Sequence, residues 1–144
     1  MKKFIYTAII ALSTTFAFAQ NKAEWKELKD FHTVMSQTFH PAEEGNLKPI
    51  RERSAEMVKS AEAWKKSAIP ADYKNVKDIQ ETLNKLVDGS KNLDKQIKAK
   101  ASDEEIKKSI TALHDVFHTI VGLCRPGQDD HKGHGHDEHD GHKH

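Results

Sequence analysis

The sequence predicts an all-α fold, an antiparallel up-down-up-down four-helix bundle followed by a histidine-rich C-terminal tail. Three observations carry this. Four successive stretches repeat apolar residues at alternating spacings of three and four, the mark of helices that bury one face. Proline, glycine or a capping sequence separates them at short intervals, and short connections place consecutive helices antiparallel. No alternating strand pattern and no hairpin signal competes with this reading.

The chain has 144 residues, one cysteine and a formal net charge of +1, enough for one domain. Met1 to Ala19 reads as an export signal. It has a positive start at Lys2 and Lys3, an apolar run from Phe4 to Leu12, and the small-residue site Ala17-Phe18-Ala19, which sets cleavage before Gln20. The run is too short to span a bilayer. The expected mature protein is exported and soluble, periplasmic in a cell with two membranes. Lys2 and Lys3 belong to this leader, so the other basic residues nearly balance the 22 acidic ones. A balanced, interleaved surface offers no footprint for nucleic acid or an anionic membrane. One cysteine allows no disulfide within the chain, and Cys124 is expected as a small buried side chain, with an intermolecular bridge or a metal ligand as alternatives.

The bundle is expected over residues 20–126. Asn21 to Phe39 is the first predicted helix, with Trp25, Leu28, His32, Met35 and Phe39 on its apolar stripe and Pro41 and Gly45 as its stop. Asn46 is placed to cap the second helix, with Pro49 in its first turn. Leu47, Ile50, Ser54, Met57, Ala61 and Trp64 continue its stripe up to Ile69-Pro70. The third helix is expected from near Asp72, with Val76, Ile79, Leu83, Leu86, Ser90, Leu93 and Ile97 inward. Gly89 inside it marks a close contact or a soft spot. Ser102-Asp103-Glu104-Glu105 is a capping box opening the fourth helix, which runs to Leu123 or Cys124.

The functional signal is in the histidines. In 113-LHDVFHTIVGLC-124, Leu113, Phe117, Ile120 and Cys124 form the apolar stripe. His114 and His118 lie four apart beside it, so their side chains stack one turn apart. Antiparallel pairing of the first and fourth helices puts His32, on the predicted inner stripe, level with residues 113 to 116. The expected site is therefore three imidazoles, His32, His114 and His118, with Met35 and Met57 as soft neighbours. Three histidines with an open position suit zinc; thioether would favour copper(I). A second candidate combines His40 and Glu44, with Glu43 beside them, at the bundle end near Asp103 and Glu104. Residues 127–144 form the tail, expected to be disordered. It holds His131, His134, His136, His139, His142 and His144 among Gly, Asp and Lys, a composition that cannot pack a core but can gather transition-metal ions.

Residues 60 to 120 resemble the cytochrome b562 and cytochrome c′ group of exported four-helix bundles. The resemblance rests on 61-AEAWKK-66, the proline link at Pro70, the heptad third helix and 112-ALHDVFH-118. It implies the bundle fold and, for a b-type relative, a non-covalent haem near one bundle end, with His118 at the ligand position and His32 as the nearest helix-one counterpart. The chain lacks the C-x-x-C-H of the c′ type, so covalent haem is not expected. The sequence reading is thus a non-enzymatic, exported protein that binds zinc, copper or nickel. A haem b electron carrier and a periplasmic stress or chaperone-like interaction protein are its alternatives. No activated nucleophile or core carboxylate pair points to catalysis.

Overall fold

The computed structural model describes residues 24–125, all of the bundle except its extreme ends; the expected leader and the His-rich tail lie outside the described residues. Four helices form: α1 (Lys26–Glu43), α2 (Lys48–Lys66), α3 (Val76–Lys98) and α4 (Asp103–Leu123). Each packs on the next, and α4 returns against α1, which closes the ring; this last seam is the loosest of the four. No strand occurs among the described residues, and none of their helices is long and apolar enough to cross a membrane.

The second helix follows its sequence pattern fully. Leu47, Ile50, Ser54, Met57, Ala61 and Trp64 are all buried. Ser54 escapes an unpaired burial because its hydroxyl donates to Asp94 Oδ1 of α3 at 2.8 Å. Asn46 supports the entry to α2 as expected, accepting from the Lys48 backbone N–H, although Leu47 holds the cap position itself.

The first helix departs from expectation three times. It begins at Lys26, with Trp25 as its N-cap, rather than at Asn21. Its core line runs through Phe31, Val34, Met35, Thr38, Phe39 and Ala42, not through His32, which is exposed. Residues 31 and 32 both fit a stripe joining Leu28 to Met35. Phe31 takes the inner place because burying a phenyl ring gains about 1.5–3 kcal/mol, whereas a buried imidazole must find hydrogen-bond partners. The helix also passes through Pro41 to Glu43. In the last turn the missing N–H deprives only the Gln37 carbonyl, and Gln37 is exposed to water. The true stop is Gly45, at φ +87°. Its N–H reaches the Ala42 carbonyl and that of Asn46 reaches Pro41, at 3.1 and 2.8 Å, the paired bonds of a Schellman turn.

The third helix starts at Val76, one turn later than expected, and Val76 itself is exposed. Ile79, Leu83, Leu86, Ser90 and Leu93 are buried as expected, with Ile97 partly so. Gly89 is a close contact: a Cβ there would lie 2.9 Å from Leu113 Cδ1 of α4. The turn at 99–101 repeats the Schellman pattern, with Lys100 in the left-handed position at φ 56°. At α4 the capping box forms in both directions: Ser102 Oγ accepts from the Glu105 N–H, and Glu105 Oε2 accepts from the Ser102 N–H.

The aromatic core sits where the start of α1 meets the end of α4. Trp25 and Trp64 meet edge-to-face at 5.5 Å, and Phe31 packs on Trp64 and Phe117 at 5.6 and 5.8 Å. The Trp25 indole N–H donates to Ser67 Oγ at 2.8 Å. That of Trp64 has no hydrogen-bond partner among the described residues. Cys124 is buried beside this core, as expected.

Candidate metal centre

Inward placement of Leu113, Phe117 and Ile120 decides where the neighbouring histidines go. His114 and His118 follow Leu113 and Phe117 by one residue each. Both are therefore turned about 100° from the core line, onto the outer rim of the α1/α4 seam. His114 is half-buried and His118 exposed.

The two rings meet. Their centroids are 4.4 Å apart, and Nε2 faces Nε2 at 3.0 Å, one nitrogen donating to the other. Two nitrogens each roughly 2.0–2.1 Å from one ion stand about 2.9 Å apart at a right angle and about 3.3 Å apart at the tetrahedral angle. The spacing thus already matches a pair of ligands on one metal. Entry of an ion requires that the donor ring move its proton to Nδ1 and that both rings tilt, so that lone pairs now aimed along the N···N line converge on one point.

The pair is braced from α1. The His114 ring lies flat on Phe39, with centroids at 3.8 Å and planes 11° apart. The reverse contact is made one level up, where His32 of α1 stacks on Phe117 of α4 at 5.3 Å and 3°. Each helix thus offers an imidazole to a phenylalanine of the other. Burial, then the neighbouring His118, push the His114 pKa below that of an ordinary histidine; Asp115 and Glu43 oppose this, and His40 adds to it. A lowered pKa keeps the ring neutral near neutral pH, the form a metal needs.

His32 is not a third member of the pair as built. The register puts it opposite Phe117 rather than level with 113 to 116, so its partner is a phenyl ring. Met35 and Met57 are core residues, 1 % and 0 % exposed. Among the described residues no group of three or more His, Cys, Asp or Glu side chains is gathered in a metal-binding arrangement.

The second candidate is rearranged as well. Because α1 continues through Pro41, His40 and Glu43 stand three apart on one helical face, and His40 Nδ1 pairs with Glu43 Oε2 at 3.2 Å. Glu44, the expected partner, is instead the exposed C-cap residue. Asp103 is taken by Arg51. Sequence reasoning missed the role of Glu43 because it ended the helix before Pro41; a proline confined to the last turn would have kept the i, i+3 spacing in view. The histidines His131, His134, His136, His139, His142 and His144 lie outside the described residues.

The two histidines of the haem alternative, His118 and His32, are both on the outer face. The interior at their level is filled by Phe31, Trp64 and Phe117, 0 to 3 % exposed. Comparison of the chain with protein-family models, with curated proteins and with solved structures finds no match.

Proposed function

We propose that this chain is an exported, non-catalytic binder of a transition-metal ion, zinc or copper ahead of nickel, that serves sequestration, sensing or delivery. The observation that carries the reading is the His114–His118 pair, with its two Nε2 atoms 3.0 Å apart on a rigid helix. Ligands on a packed helix lose little freedom on binding, so two imidazoles held this way bind more tightly than the same rings on a loose chain. The six tail histidines complement them as a capture arm that collects ions by number of ligands. The outward direction of His32 and His118, and the filled core behind them, favour a bare ion over a haem.

The test is metal content and visible absorption of the full chain with its six tail histidines changed to asparagine, after loading with zinc or copper and dialysis. The expected result is close to one ion per chain, lost on His114→Ala. A Soret band from the purified protein would replace this reading by a b-type cytochrome. Retention of neither metal nor haem would leave the tail as the metal binder and overturn the bundle site.

A further inference from the structure

Two imidazoles leave at least two positions of a four-coordinate ion to be filled. Three sources can be weighed: His32 on α1, the carboxylates at the start of α4, which stand more than two turns away along the helix, and His40 with Glu43 at the end of α1.

His32 is committed elsewhere. Its ring lies parallel on Phe117, and turning it toward His118 would forfeit that stack. Asp103 is paired with Arg51, and Glu105 is held by the Ser102 hydroxyl and backbone N–H of the capping box. Both carboxylates already serve the helix end.

His40 differs in three respects. Its side chain is 66 % exposed, so a rotamer change gives up only a tilted contact with Phe39 rather than a parallel stack. It neighbours the same phenyl ring that supports His114: the Phe39 centroid is 5.7 Å from His40 and 3.8 Å from His114. The two imidazoles can therefore be no farther apart than those two spacings together, a gap that rotation about χ1 and χ2 of one surface histidine narrows by several Å. Finally, Nδ1 of His40 is occupied by the Glu43 carboxylate at 3.2 Å. A histidine that ligates a metal through one ring nitrogen commonly gives the other to a carboxylate, which fixes the tautomer and makes the ligand more basic. His40 shows that arrangement in its present rotamer, with Nε2 left to the ion, and keeping it on the metal requires Glu43 to turn with His40, as two exposed side chains one turn apart can.

We infer that His40 is the third protein ligand of the His114–His118 ion, with Glu43 as the carboxylate that orients it. This rests on the proposed metal-binding reading and specifies its ligand set. His40 enters from α1 and the pair from α4, so the bound ion would clip together the loosest seam of the bundle. Three imidazoles and one open position form a set that suits zinc and leaves room for water or an exogenous ligand.

The test uses the full chain with its six tail histidines changed to asparagine, which isolates the bundle site. Zinc affinity is measured by competition with a chromophoric chelator, and imidazole 15N shifts are recorded with and without zinc. Zinc is expected to move the Nε2 resonances of His40, His114 and His118 and to leave those of His32 in place. His40→Ala is expected to weaken zinc at least 10- to 100-fold, and Glu43→Ala about 10-fold with partial recovery in Glu43→Gln, as loss of an orienting partner does. His32→Ala should change affinity less than about twofold. Because His40 and Glu43 are surface residues, the thermal melt of each apo variant should match the parent. Unchanged affinity in His40→Ala, with binding still lost in His114→Ala, would overturn the third-ligand inference and leave the pair standing. Unchanged affinity in His114→Ala would overturn both.

Discussion

The two sides of the α1/α4 seam carry flat rings from the same helices and use them in opposite ways. On the inner side Phe31, Phe117 and Trp64 pack ring against ring, out of reach of water. On the outer side His32, His114 and His118 each have one face or edge on a neighbouring ring, with His32 and His118 exposed and His114 half-buried. The inner rings contribute area removed from water; the outer rings contribute donor atoms held in place by that packing. Phe117 serves both sides, touching Phe31 and Trp64 within and His32 and His118 without. Stability and the proposed ligand chemistry are therefore divided between adjacent residues, and substitutions should separate them.

The sharpest separation is expected at Trp64. Its side chain is fully buried, and Trp64→Ala should cost about 3–5 kcal/mol. His32→Ala, which loses one exposed ring contact, should cost no more than about 1 kcal/mol. Urea denaturation of the apo proteins measures both, and equal losses would break the division between inner and outer rings. Gly89→Ala tests how tightly the interior is closed. The added methyl gains about 1 kcal/mol of helix propensity. It also meets the buried Leu113 at 2.9 Å, and overpacking of this kind costs about 1–3 kcal/mol. A net loss of about 1 kcal/mol is expected; a gain in stability would show that Leu113 has room to move.

Smaller effects are expected away from the core. Lys100 adopts φ 56°, where glycine has no steric cost. Lys100→Gly should therefore stabilise the fold by roughly 0.5–1 kcal/mol, measured as a rise in the urea midpoint. The smallest effect concerns the rim itself. His114 has a lowered pKa in the folded state, chiefly through burial, so the unfolded chain takes up a proton more readily. Stability should be at its full value above the ordinary histidine pKa of about 6.5 and fall as pH drops below it toward the lower folded pKa, the direction linkage requires when the unfolded state binds more protons. His114→Gln should flatten that slope between pH 7 and 5, and an unchanged slope would assign it to other groups.

Much of the fold was legible in the residue pattern. The whole buried line of α2 and the capping box at Ser102 follow from spacing and residue type. These are local matters, decided within one or two turns. At Gly89, by contrast, the pattern left a close contact and a soft spot both open until α4 placed Leu113 there. The pattern failed where two neighbouring residues both satisfied the same period. Phe31 and His32 each fit the stripe of α1, and the phenylalanine takes the inner place against Trp64 and Phe117 because its burial leaves no polar group to satisfy. Pro41 was similarly ambiguous: its cost depends on whether the carbonyl it deprives is buried, and Gln37 is not.

What the sequence alone determined is the number of helices, their order, and the presence of a His114–His118 pair one turn apart on α4. Helical periodicity requires that proximity whatever surrounds it. What only the tertiary structure decided is which side of the seam each histidine occupies and which residues of α1 stand opposite. That outcome depends on the relative level and rotation of two helices, set by how Phe31, Phe117 and Trp64 fill the shared core, and neither chain segment carries that information by itself.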